Sequence, residues 1–249
     1  MALPGLGTLI NAAAIVAGAG VGTVAGHRLP TRVRETVTDA LGLITLVLGG
    51  LNLKSLLDPA FVGAVGGGGT VLVVLGALVV GSVVGAALHL EGGLEKLGAG
   101  LQRRLARDDS AGARAAFIEG FVSTSLIVAV GPLAILGALS DGLGHGIDQL
   151  VLKSIIDGVF CVAYAASLGW GVAAAALTVV AVQGAFTVVG ATLGTLLPDA
   201  EIAAITAVGG LLLLGIGFRL LSIKQVAVAN MLPAIILGPL LTWIVAIAR

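Results

Sequence analysis

Runs of about 20 mostly apolar residues recur from one end of this chain to the other, each long enough to cross a hydrocarbon core of about 30 Å as a helix. Such a chain has few options, because in lipid every backbone N–H and C=O must be satisfied by a helix or a closed barrel. Barrel strands would show segments of about 10 residues with alternating polarity, and the sequence does not read that way. The expected fold is therefore all-α, a polytopic transmembrane helix bundle. With 58% hydrophobic and 10% charged residues, the composition lies outside that of soluble domains. The 39 glycines fit close helix contacts in lipid, where small residues let backbones approach.

Eight apolar segments are expected, roughly residues 5–27, 37–56, 62–90, 114–140, 148–169, 171–197, 201–222 and 227–248, within one integral membrane domain covering 1–249. The division at Gly169-Trp170-Gly171 must squeeze a turn into an apolar stretch; without it the spans number seven. Met1 to Gly5 has no basic region, so the first run reads as a span and not as a cleaved signal. Lys and Arg mark cytoplasmic loops. Arg28, Arg32 and Arg34 follow segment one, and Lys96, Arg103, Arg104, Arg107 and Arg114 follow segment three. Ser140 to Gln149 and Leu197 to Glu201 carry acids and no bases, whereas Arg219 and Lys224 bracket the connection after segment seven. Eight spans then place both termini outside the cytoplasmic (inner) membrane, with Lys54 and Arg249 as exceptions. Gly92 to Arg107, with Leu94, Leu97, Leu101 and Leu105 at spacings of three and four, reads as a basic amphipathic helix at the cytoplasmic interface. Pro30 to Leu41 is a shorter version leading into segment two.

An internal repeat is also visible. Gly22, Gly26 and Pro30 match Gly190, Gly194 and Pro198, each pair 168 residues apart, and Ala40-Leu41-Gly42-Leu43 aligns with Ala207-Val208-Gly209-Gly210 after one gap. The repeat units are about 5–56 and 171–222, segments one to two and six to seven. Five spans separate their starts, so the copies should be inverted, as is common in secondary transporters with a site near the midplane. Small-xxx-small packing is the alternative account of the glycines.

Charges are most expensive inside an apolar run, and three stand out there: Lys153 and Asp157, four residues apart, and Glu119, followed by Ser123. Asp157 lies about 13 Å down a helix entering from outside, near the midplane, with Lys153 one turn shallower on the same face. Glu119 sits roughly 7 Å from the cytoplasmic side. Such groups mark ion or substrate paths; a structural ion pair, with Glu119 snorkelling to the headgroups, is the competing account. Asn11, Gln183 and Asn230 are isolated amides in apolar runs that either bond across helices or help hold an ion. Pro132 and Pro233 interrupt apolar runs.

Other chemistries find no support. Gly18-x-Gly20-x-Gly22 lacks the strand of a dinucleotide fingerprint, and Gly66 to Gly69 lacks the lysine of a P-loop. His27, His89 and His145 have no ligand spacing, and the lone Cys161 excludes an intrachain disulfide and a multi-cysteine metal site. No enzyme, cofactor or metal is expected, and zero formal net charge gives no reason to expect nucleic acid.

The chain resembles the bacterial membrane family known as domain of unknown function 554, also called YqgA/YdfK-like. The similar stretches are Gly7-Thr8-Leu9-Ile10-Asn11, Glu119-Gly120-Phe121-Val122, Gly137 with Asp141-Gly142-Leu143, Lys153 to Gly158, Gln183-Gly184, Gly209-Gly210-Leu211 and Val228 to Ala234. After Ser125 the chain departs, reading Ile127 to Pro132 where members tend to carry Cys and Met, which puts a thiol-dependent role in doubt. The resemblance implies a multi-pass bacterial membrane protein and leaves activity open. The leading expectation is a secondary transporter or ion-coupled carrier using Asp157, Lys153, Glu119, Ser123, Asn11, Gln183 and Asn230. A passive channel and a non-transporting scaffold or signalling protein are the alternatives. The expected partners are the bilayer and an unidentified small solute or ion, with self-association into a homo-oligomer left open.

Overall fold

The computed structural model describes residues 4–26, 30–105, 111–129, 132–193 and 198–248. Among them the chain forms α1 (Leu6–Gly26), α2 (Thr31–Asn52), α3 (Pro59–Val65), α4 (Gly69–Ala87), α5 (Leu90–Leu105), α6 (Ala111–Ala129), α7 (Pro132–Gly142), α8 (Asp148–Leu168), α9 (Gly171–Leu193), α10 (Asp199–Leu220) and α11 (Pro233–Ala248). Short 3-10 turns at Leu53–Leu57 and Val228–Met231 precede α3 and α11. Among these residues eight helical stretches are long and apolar enough to cross a membrane: 6–26, 31–57, 69–87, 112–129, 148–168, 171–192, 199–220 and 228–248. The fold is an all-α polytopic bundle.

Gly169 resolves the doubtful division. It takes φ 73°, a left-handed conformation that glycine adopts without steric penalty, and so ends α8 two residues before α9 begins. Two expectations differ from the structure. Segment three (62–90) opens with a separate α3, because Gly66 at φ 83° breaks the helix before α4 starts. Segment four (114–140) is covered by α6 up to Ala129 and by α7 from Pro132, and residues 130 and 131 lie outside the described residues. Pro30 to Leu41 is no separate interfacial helix: α2 runs without a break from Thr31 into the apolar stretch.

The distribution of side chains fits a lipid surround. Leu9 is 62% exposed on the helix where Asn11 is fully buried, and Val159 is 68% exposed on the helix where Asp157 is buried to 5%. In water such an exposed aliphatic surface would be an aggregation site; in a bilayer it is the solvated face.

Two compact units make up the chain, Met1–Leu41 with Glu95–Leu196 and Gly42–Leu94 with Leu197–Arg249. In the first, α1 and α8 run parallel in close contact: a Cβ on Gly18, Gly22 or Gly26 would meet the carbonyl of Gly158, Val162 or Ala166 in turn. The two-residue turn after α8 reverses α9, so α1 and α9 are antiparallel. Helices α6 and α7 follow α9 from its start to its end, with Gly171 against Phe117 and Gly190 against Leu139. Gly98, on the buried face of α5, meets Ile118 and Phe121 of α6, while Lys96, Arg103 and Arg104 of α5 are exposed.

In the second unit α10 is buried on every face, all eleven residues from Ala200 to Gly210 included, as expected for a helix apolar all round. It crosses the apolar part of α2 antiparallel, with Gly42 against Leu221 and Gly49 against Gly210. Gly81 and Gly85 of α4 meet Ala234 and Asn230.

Candidate functional site

Helical spacing of four places Lys153 and Asp157 on one face of α8, and that face is turned inward. Lys153 Nζ donates to both carboxylate oxygens of Asp157, at 2.9 Å to Oδ1 and 2.7 Å to Oδ2. Lys153 is 8% exposed and Asp157 5%. Asp157 is the tenth of the twenty-one residues of α8, midway along it. The glycine stripe that lets α1 approach α8 also brings Asn11, whose Nδ2 donates to Asp157 Oδ2 at 3.0 Å. Three N–H donors therefore converge on one carboxylate, the coordination that a desolvated charge requires.

The amides around this pair are not fully satisfied. Asn11 Oδ1 is buried without a hydrogen-bond partner among the described residues, and so are both polar atoms of Gln183 on α9. Gln183 is 0% exposed. One turn away on the same face, the Thr187 hydroxyl lies 3.5 Å from that of Thr8, which precedes Asn11 by one turn of α1. Because α1 and α9 are antiparallel, Asn11 and Gln183 lie on the same side of the Thr8–Thr187 contact. Beyond it, Asp141 of α7 accepts hydrogen bonds at Oδ2 from the backbone N–H groups of Gly5 and Gly7, at 3.2 and 3.1 Å. The start of α1 is thus capped by a carboxylate from another helix, favourable for unpaired amides at a positive dipole end.

The structure brings together Asp157, Lys153 and Asn11, and places Gln183 on the neighbouring helix of the same unit. Glu119 and Ser123 pair on α6, the Ser123 hydroxyl donating to Glu119 Oε1 at 2.7 Å. Asn230 belongs to the second unit and a different task. Its Oδ1 accepts from Glu91 N at 2.9 Å, while Glu91 Oε2 accepts from Ala229 N at 2.8 Å and Glu91 Oε1 binds Arg219 Nη1 at 2.7 Å. That reciprocal bonding caps the first turn of α5.

Sequence reasoning missed Asp141 as a partner of α1, since 134 residues separate it from Gly7. It also read Glu201 as the boundary between an acidic connection and segment seven, with no role of its own. Glu201 lies in the first turn of α10, 7% exposed, and its Oε2 has no hydrogen-bond partner among the described residues. A glutamate three residues after Pro198, followed at once by an apolar run, was the available signal of helical placement.

A polytopic helix bundle with an ion pair buried midway along a spanning-length helix defines an integral membrane protein. The family model described as "Protein of unknown function (DUF554)" matches residues 6–243, and the chain belongs to that family. It is 30% identical over 234 residues to the "Uncharacterized protein YqgA" of Escherichia coli (strain K12), covering 94% of each chain. It is 25% identical over 241 residues to the "Uncharacterized membrane protein YdfK" of Bacillus subtilis (strain 168), covering 96% of each. No solved structure matches.

Proposed function

We propose that this protein is a secondary transporter or ion-coupled carrier of a small solute or ion in the inner membrane, with its N-terminus outside. Asp157 is the coupling carboxylate, Lys153 its fixed counter-ion, and Asn11 the group that ties it to α1. The observation that carries the reading is the Lys153–Asp157 pair, buried midway along α8 beside Asn11, whose Oδ1 has no hydrogen-bond partner among the described residues. Burying two charges costs several kcal/mol per ion before their attraction is counted, so a pair kept at mid-helix calls for a reason.

The packing of the repeat units adds support. Within the first unit α1 and α9, the first helices of the two copies, lie antiparallel, and within the second unit α2 and α10, their second helices, do so as well, the pairing expected of inverted copies. Glu119 with Ser123 on α6 is the second candidate station for an ion.

A flux screen in liposomes, with ions and labelled solutes, tests the reading through Asp157→Asn and Glu119→Gln. The expected result is movement of one species by the parent chain and its loss in Asp157→Asn. If nothing moves, or both variants carry the species as the parent does, the reading fails. The scaffold alternative has its own observation: every Asp157 oxygen is already bonded. It predicts that Asp157→Asn lowers stability and alters no flux.

A further inference from the structure

We infer that the coupling species is the proton, and that it reaches Asp157 along a hydrated path through the first unit, from the Asp141 end of α1 past Thr8, Thr187, Gln183 and Asn11. This deepens the carrier reading and rests on it. The starting point is a set of buried polar atoms without a hydrogen-bond partner among the described residues: Asn11 Oδ1, Gln183 Oε1 and Gln183 Nε2, on side chains that are fully buried. A buried polar group without a partner costs about 1–3 kcal/mol, so native structures usually satisfy such groups with ordered water. Two acceptors and a donor on facing helices offer such a water the two to four partners it needs.

These atoms are also in line. The Thr8–Thr187 hydroxyl contact lies one turn toward the start of α1, and Asp141 is bonded to the N–H groups of Gly5 and Gly7 at that start. In the other direction Asn11 donates directly to Asp157. Hydroxyl, amide and carboxylate groups thus succeed one another from the helix end to the ion pair, spaced about a turn, or roughly 5 Å, apart. In the inferred path a water closes each gap along α1 and α9, and Asn11 meets Asp157 directly.

The chemistry at the end of this line favours a proton. Asp157 already faces three N–H donors, and a proton adds to a carboxylate lone pair without displacing a coordination shell. Hydronium in the path gives its proton to Asp157 Oδ1, an O–H bond forms, and water remains. The acid becomes neutral and the Lys153 ammonium loses its counter-ion, so the bond between them weakens and the side chain is free to move. The surroundings contain few competitors. The described residues of α1 and α9 carry no ionisable side chain; α7 carries Asp141, α6 carries Arg114 and Glu119, and α8 itself carries Asp148, Cys161 and Tyr164.

The test is time-resolved infrared spectroscopy of the full chain in lipid nanodiscs after an acid jump, reading the C=O stretch of a protonated carboxyl and its shift in deuterium oxide. A band that appears in the parent and is missing in Asp157→Asn is expected. In Gln183→Leu, which loses a bridging group of about 1.4 kcal/mol, the band should rise roughly tenfold more slowly, while Thr187→Ser, which keeps the hydroxyl, follows the parent. A purely structural Gln183 would change thermal stability and leave the rate alone. Absence of an Asp157-dependent band while circular dichroism reports a folded chain, or a parent-like rate in Gln183→Leu, overturns the inference. Asp157-dependent flux of a solute in the liposome screen would then leave the carrier reading standing, whereas loss of that dependence removes both.

Discussion

At the scale of single residues, the Lys153–Asp157 pair shows why a short sequence distance can be read and a long one cannot. Their separation of four predicts one face of one helix, and the 2.7 Å contact follows. Asn11, 146 residues away, completes the coordination and was legible only as an isolated amide. Removing one partner of a buried pair costs about 3–5 kcal/mol because the other charge is stranded, whereas replacing both by apolar groups restores most of the loss. Lys153→Met should therefore lower the melting temperature sharply, and the double variant Lys153→Met with Asp157→Leu should recover most of it. Thermal unfolding in a mild detergent measures both, and a double variant as unstable as the single one would contradict the stranded-charge account. Gln183 and Asn230 make the same point about legibility. Both are amides in apolar runs, yet Gln183 is wholly buried with no hydrogen-bond partner among the described residues, while Asn230 caps α5 through Glu91.

Among elements, contact between helices depends on where small residues fall. Gly22 of α1 lies against the Val162 carbonyl of α8, so a methyl group there must push the helices apart, whereas a Cβ on Gly20 would find its nearest atom, in the Trp170 ring, 3.9 Å away. Gly22→Ala should destabilise by about 1–3 kcal/mol and Gly20→Ala should be near neutral or gain slightly from helix propensity. Comparing their unfolding midpoints checks this, and equal effects would show that the stripe does not set the approach. The Gly22/Gly26 motif was visible in the sequence, but its partner was not, because small-xxx-small spacing describes a face without naming what covers it. Element boundaries were less legible than element number. The break between α3 and α4 sits inside the apolar segment 62–90, where the glycines from Gly66 to Gly69 were the sole cue.

For the whole molecule, orientation follows from where the bases fall. Asp199 and Lys224, both exposed, flank α10, and the charge rule puts Asp199 outside and Lys224 in the cytoplasm. Because the native Cys161 is buried, Asp199→Cys should react with a membrane-impermeant maleimide on spheroplasts, and Lys224→Cys only after they are opened. The reverse labelling would invert the topology and with it the side from which protons reach Asp157. Class, the amphipathic α5 and the charged pair on α8 were determined by the sequence alone, as were the spans apart from the division at Gly169-Trp170-Gly171, because hydropathy over about 20 residues and spacings of three or four are local properties that lipid enforces. What only the tertiary structure decided is which helix faces which: α1 against α8, Asp141 on the start of α1, and Asn11 on Asp157. Those pairings join residues more than a hundred positions apart, and between helices equally soluble in lipid they depend on surface shape and hydrogen bonding, which a one-dimensional pattern does not contain.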